Sequence, residues 1–163
     1  WITHQTGEAD FERVKEAYVA SGWEKHADVR RYIDDMVVSF ANADLVICRA
    51  GATTTAELIA AGKASIMIPF PLAADDHQRK NAEALVAKGA ARMILQQDLT
   101  PTRLAKEIED LVLRPDEVRK MEAVSRGLAR GDAAASVVDL IEGLLRSRGR
   151  RKEQEAGSSR QQQ

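Results

Sequence analysis

Apolar positions along the chain change their spacing repeatedly, from short unbroken runs to clusters that recur every three or four residues. Runs such as "ADLVIC" and "SIMIPF", bounded by polar and turn-forming residues, predict strands, whereas "AELIAAG" and "NAEALVAKG" carry the helical period. The pattern predicts strands over 1–4, 28–32, 44–48, 64–69 and 91–95, and helices over 9–20, 35–41, 53–62 and 77–88. Gly62 and Gly89 end two of these helices and lead directly into strands, as expected for glycine at a helix C-terminus. Strands that alternate with helices predict an α/β fold, a Rossmann-like parallel sheet with helices on both faces.

From Leu99 onward the pattern is helical only. Thr100 and Pro101 supply a cap and a first-turn residue for one trailing helix, and Pro115 opens the next. A last helix is expected over about 132–146, where Val137, Leu140, Ile141, Leu144 and Leu145 form one apolar stripe. Residues 147–163, including "RGRRKEQEAGSSRQQQ", offer almost nothing to a core, so a disordered polar tail is expected after a single domain over 1–146.

Composition narrows the function classes. The chain has 163 residues, 44% of them hydrophobic, which suits one domain with a substantial core. A formal net charge of −1 gives no overall attraction for nucleic acid, so any anion must be met by a local site. Cys48, the single cysteine, lies in an apolar run and suits a buried thiol in a reducing compartment better than a nucleophile. No apolar run approaches the roughly 20 residues of a membrane span. The opening "WITHQTG" starts in mid-strand, which suggests a piece of a longer protein.

Candidate chemistry sits where strands hand over to helices, because ligands of open parallel sheets bind at the carboxyl ends of strands. Four such loops, "THQTG", "YIDDM", "CRAGATTTAE" and "PFPLAADDHQRKN", should open on one edge and bring Ile33, Thr53, Glu57, His77 and Gln78 around one ligand. The stretch "RAGATTTAEL" has two readings. A helix N-terminus with small residues is a seat for phosphate, while Thr54 and Glu57 also have the spacing of a capping box. Asp75 and Gln78 have capping spacing as well. Asp34 and Asp35 are expected to serve as turn and cap residues rather than to hold Mg²⁺. Scattered histidines give no metal geometry, and neither G-x-x-x-x-G-K-[ST] nor G-x-S-x-G occurs, which argues against ATP hydrolysis and serine esterase chemistry.

Taken together and in order, "HQTG", "YIDDM", "ADLVICRAGATTTAELIAAGKASIMIPFP" and "DDHQRKNAEALVAKGAA" resemble the C-terminal domain of the MurG family, bacterial peptidoglycan N-acetylglucosaminyltransferases. The resemblance runs over about residues 1–146 and implies the C-terminal half of a GT-B glycosyltransferase. It implies an inverting transfer of N-acetylglucosamine from UDP-N-acetylglucosamine to undecaprenyl-pyrophosphoryl-MurNAc-pentapeptide (lipid I), giving lipid II, with no cofactor and no bound metal. It implies that Ile33 meets the uracil chiefly through its backbone, with Met36 beside it. Ala52, Thr53 and Thr54 would face the diphosphate, Glu57 would hold the ribose hydroxyls, and His77 with Gln78 would reach the sugar. The family often has two glutamines where this chain has His77 and Gln78, and the resemblance leaves open whether Arg49 touches ligand or braces its loop.

The family's N-terminal domain, with the acceptor site, the general base and the membrane-facing patch, has no counterpart here, nor has the first strand of the C-terminal domain. No catalytic residue is therefore expected in this chain, which would bind donor without turning it over. Lipid I and the cytoplasmic face of the bacterial inner membrane would be met by the longer protein, a peripheral membrane enzyme. Two other readings remain at this point: another GT-B enzyme with a different nucleotide sugar, such as a glycolipid glycosyltransferase or an epimerase relative, and a non-catalytic α/β interaction module.

Overall fold

The computed structural model describes residues 1–129. The expected helix over 132–146 and the tail over 147–163 lie outside the described residues. Within them, strands β1 (Ile2–Gln5), β2 (Ala27–Arg30), β3 (Val46–Cys48), β4 (Ser65–Met67) and β5 (Ala91–Met93) alternate with helices α1 (Phe11–Ala20), α2 (Met36–Asn42), α3 (Ala52–Ala61) and α4 (His77–Lys88). Helices α5 (Pro101–Leu113) and α6 (Pro115–Leu128) follow. Every strand pairing is parallel, so the α/β class holds.

The sheet is divided, whereas one sheet was expected. β1 pairs with β2 in one sheet, and β3, β4 and β5 form another in that order; β1 and β3 do not pair with each other. The hydrogen bonds show where the free edges lie. Val46 N–H donates to Ala64 O, and Ile68 N–H donates to Cys48 O, so Val46 and Cys48 face β4. Alternation along the strand then turns the polar groups of Ile47 to the opposite edge.

The core sits in the second sheet and its helices. Ser65, Ile66 and Met67 of the central strand β4 are all buried. Ala64, Ile66, Ile94, Leu111 and Met121 form the central cluster, with Leu45, Leu99, Leu104, Ile108 and Val118 packed against it. Each large apolar side chain so buried contributes about 1.5–3 kcal/mol. By contrast, no residue before Phe40 is buried.

Local chemistry sets the helix ends. The Thr100 hydroxyl accepts the Arg103 N–H at 3.1 Å with Pro101 in the first turn, so α5 starts as expected. Gly62 ends α3 in the left-handed region (φ 63°), and a Cβ there would meet Arg126 Cγ of α6 at 2.1 Å. Lys63 Nζ donates to the carbonyls of Ala41 and Ala43 at 3.2 and 2.8 Å, satisfying the end of α2. Ser125 of α6 donates to Leu58 O of α3 at 3.3 Å, which fastens the trailing helices to the sheet layer.

Candidate functional site

Helix α3 begins directly after the three residues that follow β3, and its start decides between the two readings of Thr54 and Glu57. Gly51 is the N-cap, in extended backbone (φ −62°, ψ 153°), and makes no side-chain cap. Thr54 stands three positions inside the helix and Glu57 lies exposed in the second turn, so the capping box does not form. The physical reason is that the extended Gly51 turns the chain into the helix early. Its carbonyl accepts both the N–H and the hydroxyl of Thr55, at 2.9 and 2.8 Å. That first bond leaves the N–H groups of Ala52, Thr53 and Thr54 without intrahelical partners at the positive end of the helix. Ala52 and Thr53 are exposed and Thr54 is half-buried, so small side chains surround three free donors.

The loop between β4 and α4 lies at the same end of the same parallel sheet. Asp75 and Asp76 both adopt left-handed backbone (φ 50° and 56°), which costs roughly 1 kcal/mol or more apiece outside glycine. The turn they make starts α4 at His77, with Asp76 at the cap position and no side-chain cap. The capping spacing of Asp75 and Gln78 is therefore not used. Instead the Gln78 side-chain oxygen accepts the N–H of Phe70 at 3.0 Å, folding the loop back over the first turn of α4. His77 is exposed and Gln78 half-buried.

Ile33 and Met36 belong to the other sheet's edge. Thr6 N–H donates to Arg30 O and Gly7 N–H to Arg31 O, which aligns the loops after β1 and β2. Gln5 then reaches across, and its side-chain oxygen accepts the Ile33 N–H at 2.9 Å. Asp35 caps α2 by accepting the Val38 N–H at 2.9 Å, as expected of that aspartate. The structure thus joins Ala52, Thr53 and Thr54 to the His77–Gln78 loop across one sheet edge, while Ile33 stands in the loop before α2, the helix that begins at Met36 and packs on α3.

Arg49 takes the bracing role. Its Nη1 donates to Ile68 O (3.1 Å), Pro69 O (3.4 Å) and the Gln96 side-chain oxygen (2.7 Å), and its guanidinium lies 5.7 Å from the Phe70 ring centroid. Asn81 Nδ2 donates to Ala50 O at 3.0 Å from the opposite direction. Sequence reasoning did not single out Gln5, Asn81 or Gln96. The signal for Asn81 was its place three residues beyond Gln78, on the same face of α4. Burial pushes the Cys48 thiol up to about 11, which keeps it protonated. Among the described residues no group of three His, Cys, Asp or Glu side chains converges on a metal position, and no helix is long and apolar enough to cross a membrane.

Comparison with known proteins fits this geometry. Residues 1–142 match the glycosyltransferase family 28 C-terminal domain. The chain is 58% identical over 137 residues to a UDP-N-acetylglucosamine–N-acetylmuramyl-(pentapeptide) pyrophosphoryl-undecaprenol N-acetylglucosamine transferase of Geobacter sp. (strain M21), covering 84% of this chain and 36% of the relative. It is 56% identical over 140 residues to the protein of the same name from Citrifermentans bemidjiense, covering 86% and 38%. The chain thus spans little more than a third of these relatives. Among solved structures it is similar to Acinetobacter baumannii MurG, with 34% identity and a TM-score of 0.78 over 86% of this chain and 42% of that one. The parallel α/β layer is of the GT-B type, and the chain belongs to glycosyltransferase family 28 by its match to that family's C-terminal domain.

Proposed function

We propose that this chain is the donor-binding part of an inverting glycosyltransferase that moves N-acetylglucosamine from UDP-N-acetylglucosamine to lipid I, making lipid II for peptidoglycan. The observation that carries this reading is the uncapped start of α3, three free N–H donors ringed by Ala52, Thr53 and Thr54. Breaking the glycosidic bond leaves negative charge on UDP, and donors fixed on its diphosphate stabilise that charge most in the transition state. No cation is needed for this. Glu57, exposed and free of capping duty, offers two acceptor oxygens to the vicinal ribose hydroxyls. Ile33 and Met36 take the uracil, and Gln78, whose oxygen is held by Phe70, turns its amide nitrogen toward the sugar beside His77. The acceptor, its deprotonation and contact with the cytoplasmic membrane face belong to the remainder of the longer protein, so this chain alone binds donor without turnover.

The same proposal covers domain organisation. Residues 1–146 form the donor domain, which lacks one strand, and 147–163 are a polar extension. The doubly wound order 3-2-1-4-5-6 accommodates the pair β2-β1 as positions 3 and 2 and the sheet β3-β4-β5 as positions 4, 5 and 6. That order leaves one position between β1 and β3, for a strand supplied by the longer protein.

Titration calorimetry with UDP-N-acetylglucosamine, UDP-glucose and UDP, each with and without EDTA, tests the functional reading. UDP-N-acetylglucosamine should bind most tightly and EDTA should change nothing. Binding that disappears with chelation and returns with Mg²⁺, or no binding to any of the three, would overturn it.

A further inference from the structure

Two hydrogen-bond sets cross between the loops on either side of the site, in opposite directions. From the loop after β3, Arg49 reaches the carbonyls of Ile68 and Pro69 and the side chain of Gln96. From α4, Asn81 reaches back to the carbonyl of the fully buried Ala50, next to the Gly51 cap. The next residue after Pro69 is Phe70, whose N–H holds the oxygen of Gln78. A continuous path therefore runs from Arg49 through the loop backbone to Gln78, and Asn81 ties the helix that carries Gln78 to the start of α3.

We infer that Arg49 and Asn81 are positioning residues that fix the spacing between the diphosphate end and the sugar end of the donor site. They thereby set the preference for a nucleotide that carries a sugar over the bare nucleotide. The inference rests on the donor-site reading above. UDP needs the start of α3, Glu57 and the Ile33 loop, whereas UDP-N-acetylglucosamine needs these and Gln78 at a set separation. A loop held in place before the ligand arrives costs no ordering on binding, so loosening it removes the sugar's contribution first. Arginine suits the role because Nη1 donates to two carbonyls and Gln96 while the flat guanidinium stands near the Phe70 ring, a combination that a lysine ammonium on a flexible stem does not reproduce.

The test is calorimetric titration of UDP and of UDP-N-acetylglucosamine into the parent chain and into Arg49→Gln, Arg49→Lys, Asn81→Ala, Gln78→Ala and the Arg49→Gln/Gln78→Ala double variant. Arg49→Gln and Asn81→Ala should each shrink the advantage of UDP-N-acetylglucosamine over UDP by about tenfold while UDP stays within about twofold. Arg49→Lys should recover only part of that advantage. The double variant should be no worse than Gln78→Ala, because both act through the same side chain. Equal losses for both nucleotides would make Arg49 a direct phosphate contact and overturn the inference. If Arg49→Gln does not fold, Asn81→Ala decides the question by the same ratio. A parent chain that binds neither nucleotide overturns the donor-site reading itself, which is a different outcome from variants that lose both.

Discussion

Arg92 Nη2 and Glu117 Oε1 lie 2.6 Å apart, and this pair fastens strand β5 to helix α6. The same guanidinium reaches Glu107 at 2.8 Å and Asp110 at 2.6 Å on α5, so one side chain, 19% exposed, ties both trailing helices to the sheet. Burial opposes its charge, but hydrogen bonds to Glu117, Asp110 and Glu107 outweigh that and hold it more firmly protonated than usual. Arg92→Ala removes the cation that the three carboxylates share, leaving Glu107 to Arg103 and Asp110 and Glu117 to Arg114. A loss of about 1–3 kcal/mol is expected in urea unfolding, with Arg92→Lys intermediate.

Acid should weaken the same junction. Hydrogen bonds from Arg92 and then from Arg114 hold the Asp110 carboxyl below its ordinary value of 3.8. A carboxylate depressed in the folded state adds stability above its unfolded pKa and loses it as pH falls through the lower folded value. Thermal stability should therefore be level above about pH 5 and fall below 3.8, and Asp110→Asn should flatten that fall. An equally steep fall in Asp110→Asn would assign it to other groups.

Glu57 separates function from stability cleanly, because it is exposed and caps nothing. Both Glu57→Gln and Glu57→Ala should leave the melting curve within about 0.5 kcal/mol of the parent. UDP affinity should nonetheless drop about 10- to 150-fold in Glu57→Gln, since the amide offers one acceptor oxygen where the carboxylate offered two. Unchanged UDP binding in both variants would remove Glu57 from the ribose assignment.

Ser65 Oγ is buried in the central strand with no hydrogen-bond partner. An orphaned hydroxyl is a net cost, so Ser65→Ala, which keeps the Cβ, should raise the free energy of urea unfolding by up to about 1 kcal/mol. A clear destabilisation would show that the hydroxyl is satisfied in solution.

Much of this was readable beforehand, and the failures share a cause. Helix α4 begins and ends where the sequence put it, because Gly89 stops it unambiguously. Both proposed capping pairs failed because turn geometry, not side-chain spacing, chose the first helical residue: extended Gly51 in one case and left-handed Asp75 and Asp76 in the other. The resemblance marked a first strand without a counterpart, but no strand's own pattern showed that the sheet would divide between β1 and β3, since that pattern is unaffected by whether its neighbour is present. The roles of Arg49 and Asn81 depend on carbonyls about 20 and 31 residues away in sequence, and periodicity carries no information at that range.

The placement of all fully buried side chains after Ser39 has a consequence for motion. A segment with little apolar burial opens without the rest, so the β1–α1–β2 unit and the core sheet should behave as separate foldons. Amides of Ile2–Gln5 and Ala27–Arg30 should exchange with solvent deuterons through small openings, while those of Ser65–Met67 wait for global unfolding. A nucleotide that spans Ile33 and the start of α3 would couple the two, so UDP should slow exchange across the first unit by more than its few direct contacts can cover. Donor binding would then act as the clasp that makes one cooperative body of two.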